Sequence, residues 1–338
     1  MGEVADSIVD LLLSEDISGK VIFVYPHVRL DGDCIGSAAA LVAVLRNINR
    51  RSYVMLEEPI PERLAFMNIP DDLYRIYSSD NHNQLSQEQG LAVAVDCSDA
   101  GRMGSAGTLY EVSSSKAVLD HHVSSGEATG TRLVVPQAAA TAELVLHIIR
   151  IIETRTHKSL LNEQIANFLM VGIQSDTGRF SYQNTTPDTL RAAADLLEAG
   201  ANLYLNAYHL FDLTSVERMR LISKALSGAR MFYDGKMAMT AVTQEMIRDA
   251  NASDYAADGL VSNLRDIEGV VASFVVRESG DGEIRVNIRS REPFDSAAFA
   301  EIFGGGGHHR AAGFSVRDSS VNEVCKSIIH QAESFFTE

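Results

Sequence analysis

Short apolar runs alternate with longer, more polar stretches along the first two thirds of the chain. Val21-Ile22-Phe23-Val24-Tyr25 is β-branched and aromatic, which predicts a buried strand. Residues 35–50 have the composition and length of a helix, and residues 52–56 read as a second strand. Pro59, Pro61 and Pro70 break up the next stretch, and residues 78–89 are polar enough to predict a loop. Leu91-Ala92-Val93-Ala94-Val95 is continuously apolar, as expected of a strand covered on both faces of a parallel sheet. Lys116-Ala117-Val118-Leu119 is a further short run of this kind. Residues 138–153, 163–173 and 187–199 read as helices, the last bounded by Pro187 and Gly200. Val4, Ile8, Leu11 and Leu12 fit one face of an amphipathic first helix. Residues 214–228 read as a charged amphipathic helix between domains. Beyond it, strands are expected at 237–242, 270–277 and 283–289, with a helix over 255–267 whose Asp258, Asn263 and Asp266 form a solvated face. The pattern predicts an α/β protein. Residues 1–212 would form an N-terminal domain with a mainly parallel sheet flanked by helices, 213–230 a helical linker, and 231–338 a smaller α/β domain. A chain of 338 residues is long enough for two such cores.

Charge narrows the partners. A net charge of −16 repels duplex DNA and long RNA, which favours small molecules or short oligonucleotides. No run is long and apolar enough to span a bilayer, and the first residues carry acids where a signal peptide needs bases, so a cytoplasmic protein is expected. Three cysteines, Cys34, Cys97 and Cys325, form no CxxC pair and no disulfide framework. Cys34 and Cys97 each follow an acid, and neighbours on an extended chain point apart, so both are expected to be small buried residues rather than ligands.

The candidate chemistry lies where apolar elements end. After Tyr25 come His27, Asp31 and Asp33, with Gly32 and Gly36 to let the backbone bend. A solvated loop is the alternative for this stretch taken alone. The run 91–95 ends in Asp96, with Asp99 and Arg102 behind it, and the run 116–119 ends in Asp120-His121-His122. Helix 163–173 runs into Asp176. Strand end after strand end carries a carboxylate or imidazole at the place where open α/β sheets bind ligands. Thr141 and Glu143 open a helix, and Glu143 is best read as favouring the helix dipole. Carboxylate and imidazole ligands without thiolate suit Mn²⁺ or Mg²⁺, and there are enough of them for two ions sharing a carboxylate. Near the end, Gly304 to Gly307 precede His308, His309 and Arg310, with Arg285, Arg289 and Arg291 upstream. Four glycines let backbone N–H groups approach a ligand, and the basic cluster in an acidic chain points to phosphate, a flexible hinge being the alternative.

The order HxxxDxD, an apolar strand ending in Asp, Asp-His-His and a further Asp resembles the DHH phosphoesterase superfamily. The pattern GGGHxxAAG, here Gly305 to Gly313, resembles its DHHA1 partner domain. Together they are similar to the nanoRNase and pAp-phosphatase (oligoribonuclease) group and to the related cyclic-di-AMP phosphodiesterases. The resemblance implies His27 and Asp31 on a first metal, Asp33, His121 and Asp176 on a second, and Asp96 as bridge. It implies His122 facing phosphate and Asp120 orienting an imidazole. His308, the backbone of Gly305, Gly306 and Gly307, and Arg289 or Arg285 would bind substrate phosphate. The ions would be Mn²⁺, with Mg²⁺ or Co²⁺ able to serve. The expected reaction is hydrolysis of short RNA oligonucleotides or linear dinucleotides (pGpG, pApA) to mononucleotides, and of pAp to AMP. Cyclic-di-AMP is the alternative substrate, and a non-hydrolytic nucleotide sensor the alternative of another class. A homodimer is expected on resemblance alone.

Overall fold

The computed structural model describes residues 2–122 and 129–336, and the chain divides into two compact units, Met1–Leu213 and Thr214–Glu338. No helix among the described residues is long and apolar enough to cross a membrane.

The first unit is built on β1 (Val21–Tyr25), β2 (Ser52–Leu56), β3 (Tyr74–Ile76), β4 (Gln89–Val95), β5 (Lys116–Asp120) and β6 (Thr131–Val134). They form one wholly parallel sheet in the order β3-β2-β1-β4-β5-β6. Its helices are α1 (Gly2–Leu13), α2 (Gly32–Asn47), α3 (His82–Glu88), α4 (Gly107–Glu111), α5 (Thr141–Thr156), α6 (Glu163–Thr177), α7 (Pro187–Glu198) and α8 (Leu203–Ala207). Ile22, Val24, Leu91, Val93, Val95, Ala117 and Leu119 face a core shared with α1, α2, α5 and α6. Phe23, Tyr25, Ala92, Ala94 and Val118 face a second core with Leu85 of α3 and Leu109 and Tyr110 of α4. Burial on both faces is why the strands read as unbroken apolar runs.

Segment 78–89 departs from the expected loop: a 3-10 turn (Ser79–Asn81) leads into α3. Ser78 and Asn81 cap the turn reciprocally, and the buried Leu85 supplies the apolar anchor, a burial that stabilises by roughly 2 kcal/mol. Strand β6 leaves little trace in the sequence, because Leu133 is its one fully buried residue. Gly32 and Gly36 lie inside α2 rather than in a bend. A Cβ on Gly36 would sit 2.4 Å from the Phe168 carbonyl oxygen, so this glycine lets α2 and α6 cross in close contact.

The second unit has β7 (Arg230–Phe232), β8 (Met237–Val242), β9 (Ala272–Glu278), β10 (Ile284–Ser290), β11 (Gly306–His308) and β12 (Ala311–Val316), in the order β11-β12-β10-β9-β8-β7. Only β8 and β9 run parallel. Its helices are α9 (Val216–Ser227), α10 (Gln244–Ala250), α11 (Leu260–Arg265), α12 (Ser296–Glu301) and α13 (Val321–Phe336). One sheet face packs on α12 and α13 through Phe274, Phe299, Phe314 and Ile328. The other packs on α9, α10 and α11 through Leu221, Ala225, Ile247, Leu260 and Leu264. The segment expected to be a linker is thus α9, with its apolar stripe in the core of the second unit. The helix expected over 255–267 is interrupted: a 3-10 turn (Asp254–Ala257) stops where Asp258 becomes extended, and Gly259, at φ +82°, then precedes α11. Asp258 falls outside the helix and pairs with Arg277 at 3.3 Å.

Candidate metal centre

In the first unit β2 and β3 lie to one side of β1, and β4 follows on the other, so the strand order reverses between β1 and β4. Ligands in such sheets bind beyond the carboxyl ends at this point. His27 follows β1, Asp96 follows β4, and Asp120, His121 and His122 close β5. Asp31 caps α2, its Oδ1 accepting from the N–H groups of Asp33 (3.1 Å) and Cys34 (3.0 Å). Asp33, in the first turn of α2, is fully buried. It accepts from the N–H groups of Thr141 (2.6 Å) and Ala142 (2.9 Å) and from the Ser37 hydroxyl (3.0 Å). Ala140 has no side chain with which to cap α5, and the Asp33 carboxylate does so from another element. Asp96 sits in the left-handed region at φ +59°, which a short polar side chain such as Asp tolerates better than most. Asp176 lies in the last turn of α6, before Gly178, Arg179 and Phe180, all at positive φ.

The side chains converge on Asp96. His27 Nε2 lies 3.5 Å from Asp96 Oδ2 and 3.5 Å from Asp31 Oδ2. His121 Nε2 lies 3.5 Å from Asp96 Oδ1 and 3.1 Å from Asp176 Oδ2. Three groupings have donor atoms close enough for one cation: His27, Asp31, Cys34 and Asp96; Asp96, His121 and His122; and Asp33, His121 and Asp176. His121 Nδ1 donates to the Ala138 carbonyl (3.2 Å), which aims Nε2 into the cluster. That buried Nε2 makes no hydrogen bond of good geometry, the condition of an imidazole built for a cation. His122 Nδ1 donates to Asp120 Oδ1 (2.8 Å), and the Ser98 hydroxyl donates to the other oxygen of Asp120. Asp120 therefore orients His122 rather than His121.

The electrostatics show a site short of positive charge. Burial, then the charges of Asp96 and Asp176, push Asp33 well above the usual carboxylate range. Burial likewise raises Asp176. Burial works to lower the pKa of His27, but hydrogen bonding and charge from Asp31 and Asp96 bring it to about 9. For His121, burial is again outweighed, by Asp176 and the charges of Asp33 and Asp96, and the result is about 10. Against the effect of burial, His27 holds Asp31 at about 2. Protons occupy this cluster where a divalent cation would neutralise it better, and oxygen and imidazole donors fit such an ion.

All eight first-unit residues singled out in the sequence meet at this one end of the sheet. Asp99 stands apart, capping the following 3-10 turn through the Gly101 N–H (2.8 Å). Cys34 departs from the expectation of an extended chain. It is in the first turn of α2, and its sulfur falls within the grouping of His27, Asp31 and Asp96. Cys97 is buried, donates to the Asp99 carbonyl (3.0 Å), and burial pushes its thiol up to about 11. Thr141, Ser37 and Ser98 also belong to the site, although their residue types carry no signal at a distance. Thr141 meets Asp96 from 45 positions away, through a 2.8 Å hydroxyl hydrogen bond. Glu143, expected to serve the dipole of α5, is in its first turn, and burial raises its carboxyl.

In the second unit, β11 and β12 form a tight hairpin. A Cβ on Gly305 would lie 2.3 Å from the Gly313 carbonyl oxygen, and one on Gly307 would lie 2.5 Å from that of Ala311. These two glycines serve strand packing, while Gly306 has open space around it. His308, Ala311 and Arg289 stand in register on β11, β12 and β10, so their side chains share one sheet face. Arg285 lies further along β10 and already pairs with Asp281 (2.9 Å) and Glu283 (3.0 Å).

The chain matches the DHH family, N-terminal domain, over residues 21–173, and the DHHA1 domain over residues 234–338. It is 28% identical over 316 residues to the bifunctional oligoribonuclease and PAP phosphatase NrnA of Thermus thermophilus, covering 94% of this chain and 90% of that protein. It is 27% identical over 326 residues to the cyclic-di-AMP phosphodiesterase PdeA of Listeria monocytogenes, covering 93% of this chain and 48% of that protein. Among solved structures, an exopolyphosphatase-related protein of Bacteroides fragilis superposes with a TM-score of 0.89 at 22% identity, over 100% of this chain and 98% of that one. RecJ of Thermus thermophilus in complex with Mn²⁺ gives 0.60 at 15% identity, over 99% of this chain and 55% of that one; both likenesses are of fold. With the two domains matched in sequence order and spanning most of its length, the chain belongs to the family of proteins that join a DHH domain to a DHHA1 domain.

Proposed function

We propose that this protein is a divalent-metal-dependent hydrolase of phosphoester bonds in small nucleotides. Short oligoribonucleotides and linear dinucleotides such as pGpG and pApA are its main substrates, and pAp a further one. The observation that carries the reading is the convergence of His27, Asp31, Asp33, His121 and Asp176 around the single carboxylate of Asp96, with His121 Nε2 facing the carboxylates of both Asp96 and Asp176. Similarity to NrnA along nearly the full length of both chains supports the substrate class.

His27, Asp31 and Asp96 would hold one ion, and Asp33, His121 and Asp176, with Asp96 shared, the other. Mn²⁺ suits these donors best, and Mg²⁺ or Co²⁺ can take its place. Bound there, two ions supply charge neutralisation at phosphorus and a water of lowered pKa. His122, its Nδ1 proton fixed on Asp120, offers Nε2 to a phosphoryl or leaving oxygen and stabilises the charge that develops there. In the second unit, His308 and the backbone N–H groups of Gly306 and Gly307 bind the second phosphate of the substrate, with Arg289 on the same face; the Gly305 N–H, expected to join them, is given to the Ala300 carbonyl (2.9 Å). That requirement for a second phosphate is what distinguishes nucleotides of this kind from simple monoesters.

Similarity to PdeA favours cyclic-di-AMP as a second reading. Turnover on pApA, pGpG, pAp, a five-nucleotide RNA and cyclic-di-AMP, with Mn²⁺ and with chelator, decides between them. Release of mononucleotides from the linear dinucleotides, abolished by chelator, is the expected result. Preference for cyclic-di-AMP would select the second reading. Tight nucleotide binding without turnover on any of them would make the protein a sensor.

A further inference from the structure

We infer that Thr141 is the positioning residue that couples the two halves of the metal centre, its hydroxyl setting Asp96 while its N–H sets Asp33. The inference rests on the two-metal reading of the site and adds a residue to it. Thr141 is the first residue of α5 and is fully buried, so water cannot replace its contacts. Its Oγ1 donates to Asp96 Oδ1 at 2.8 Å, and its N–H donates to Asp33 Oδ2 at 2.6 Å. Asp33 is additionally held by the Ala142 N–H and the Ser37 hydroxyl. Asp96 has no such redundancy. Among the described residues the Thr141 hydroxyl is its one close side-chain donor, and the imidazoles of His27, His121 and His122 all stand off at 3.5 Å.

The orientation of that carboxylate matters more than that of any other. Oδ2 faces His27 and Oδ1 faces His121, so one rotation about the Cβ–Cγ bond decides whether Asp96 serves both halves or one. The backbone of Asp96, at φ +59°, does not fix the side chain. The β-branched Thr141 has few χ1 choices in a helix, which makes its hydroxyl a stiff donor. It also sits at the positive end of a 16-residue helix, where the backbone favours both carboxylates. One residue thus fixes, through two different atoms, acids that come from α2 and from the end of β4.

Thr141→Val tests this. It keeps the N–H bond to Asp33, the branch and nearly the volume, and removes only the hydroxyl. Three readouts matter: Mn²⁺ stoichiometry and affinity by titration, magnetic coupling between the two Mn²⁺ ions by electron paramagnetic resonance, and kcat and KM on pApA. The expected result for Thr141→Val is one Mn²⁺ bound about 10- to 100-fold more weakly, loss of the coupled signal, and a matching fall in kcat with KM little changed. Thr141→Ser should restore coupling and most of the kcat. If Thr141→Val does not fold, Thr141→Ala gives the same contrast with Thr141→Ser. Wild-type coupling and affinity in Thr141→Val, or equal impairment in the Val and Ser variants, would overturn the inference while leaving the metal centre standing. Failure of the wild-type protein itself to take up a coupled Mn²⁺ pair would overturn the metal reading and this inference together.

Discussion

The carboxyl end of the first sheet and the glycine-rich edge of the second carry charge in opposite ways. At the first, acids and imidazoles are buried together, Asp33 and Asp176 are pushed toward protonation, and His121 Nε2 is shared between the carboxylates of Asp96 and Asp176. At the second, neighbouring basic side chains mostly have acids of their own: Arg285 has Asp281 and Glu283, His309 has Asp295 (2.6 Å), and Arg310 has Glu292 (2.8 Å). Exposed pairs of that kind are worth about 0–1 kcal/mol and are easily exchanged for a phosphate. The buried cluster has no such freedom, because uncompensated charge in a dry site is costly. The basic cluster that looks unopposed in the sequence is thus largely neutralised on its own surface. The acidic cluster is the one that requires something from outside.

The sharpest way to break this contrast is Asp96→Ala. Loss of the shared carboxylate should lower kcat on pApA by on the order of 1000-fold, and full retained activity would remove the site from the first sheet. Next is the pH dependence of stability. In chelated protein, His27 and His121 have pKa values raised to about 9 and about 10. Their contribution is complete below the ordinary histidine value and is lost as pH rises through the folded values. Chelated protein should therefore lose on the order of 1–3 kcal/mol between about pH 6.5 and 10 in denaturant titrations. Mn²⁺ should protect increasingly over the same interval, since it competes with those protons.

Smaller effects belong to the second unit. Gly307→Ala should cost about 1–3 kcal/mol, because the new Cβ meets the Ala311 carbonyl and the residue sits at φ +147°. Gly306→Ala has open space and should leave the melting temperature unchanged while raising KM, because the added Cβ crowds the phosphate that its N–H approaches. His308→Ala should raise KM for pApA about 10-fold with kcat preserved, the loss of one charge-assisted hydrogen bond. Arg285→Ala should change KM by less than about twofold, because that guanidinium is already engaged in exposed ion pairs.

The ends of β1, β4 and β5 are legible because each is an apolar run stopped abruptly by ionisable residues, and burial on both faces writes that pattern directly. The order of those ends, with Asp176 and the GGGHxxAAG stretch, is enough to name the family. The rest is set by tertiary contact. Thr141 looks like any helix-opening threonine until α5 is brought against β4. The helix α3 is hidden by its polar surface, since one leucine anchors it. The apolar stripe of α9 resembles a linker until the sheet of the second unit lies beneath it. Gly259 breaks a helix that its neighbours favour. The partners of Arg285 are in plain view nearby, but sequence proximity does not say which charges meet.

The pairing of β1 with β4 joins segments that lie nearly seventy positions apart, and Asp176 is eighty positions beyond Asp96. Such pairings form slowly, because a long loop must close before any contact compensates for it. The ligand cluster therefore cannot assemble locally around the His27–Asp33 stretch. On a ribosome it would be complete only after α6 had emerged, late in the synthesis of the first unit. Metal capture then reports on the joining of β1, α2, β4, β5 and α6 rather than on any one fragment, and a chain that binds two ions has, by that fact, brought those five elements together, while α7 and α8 add no ligand.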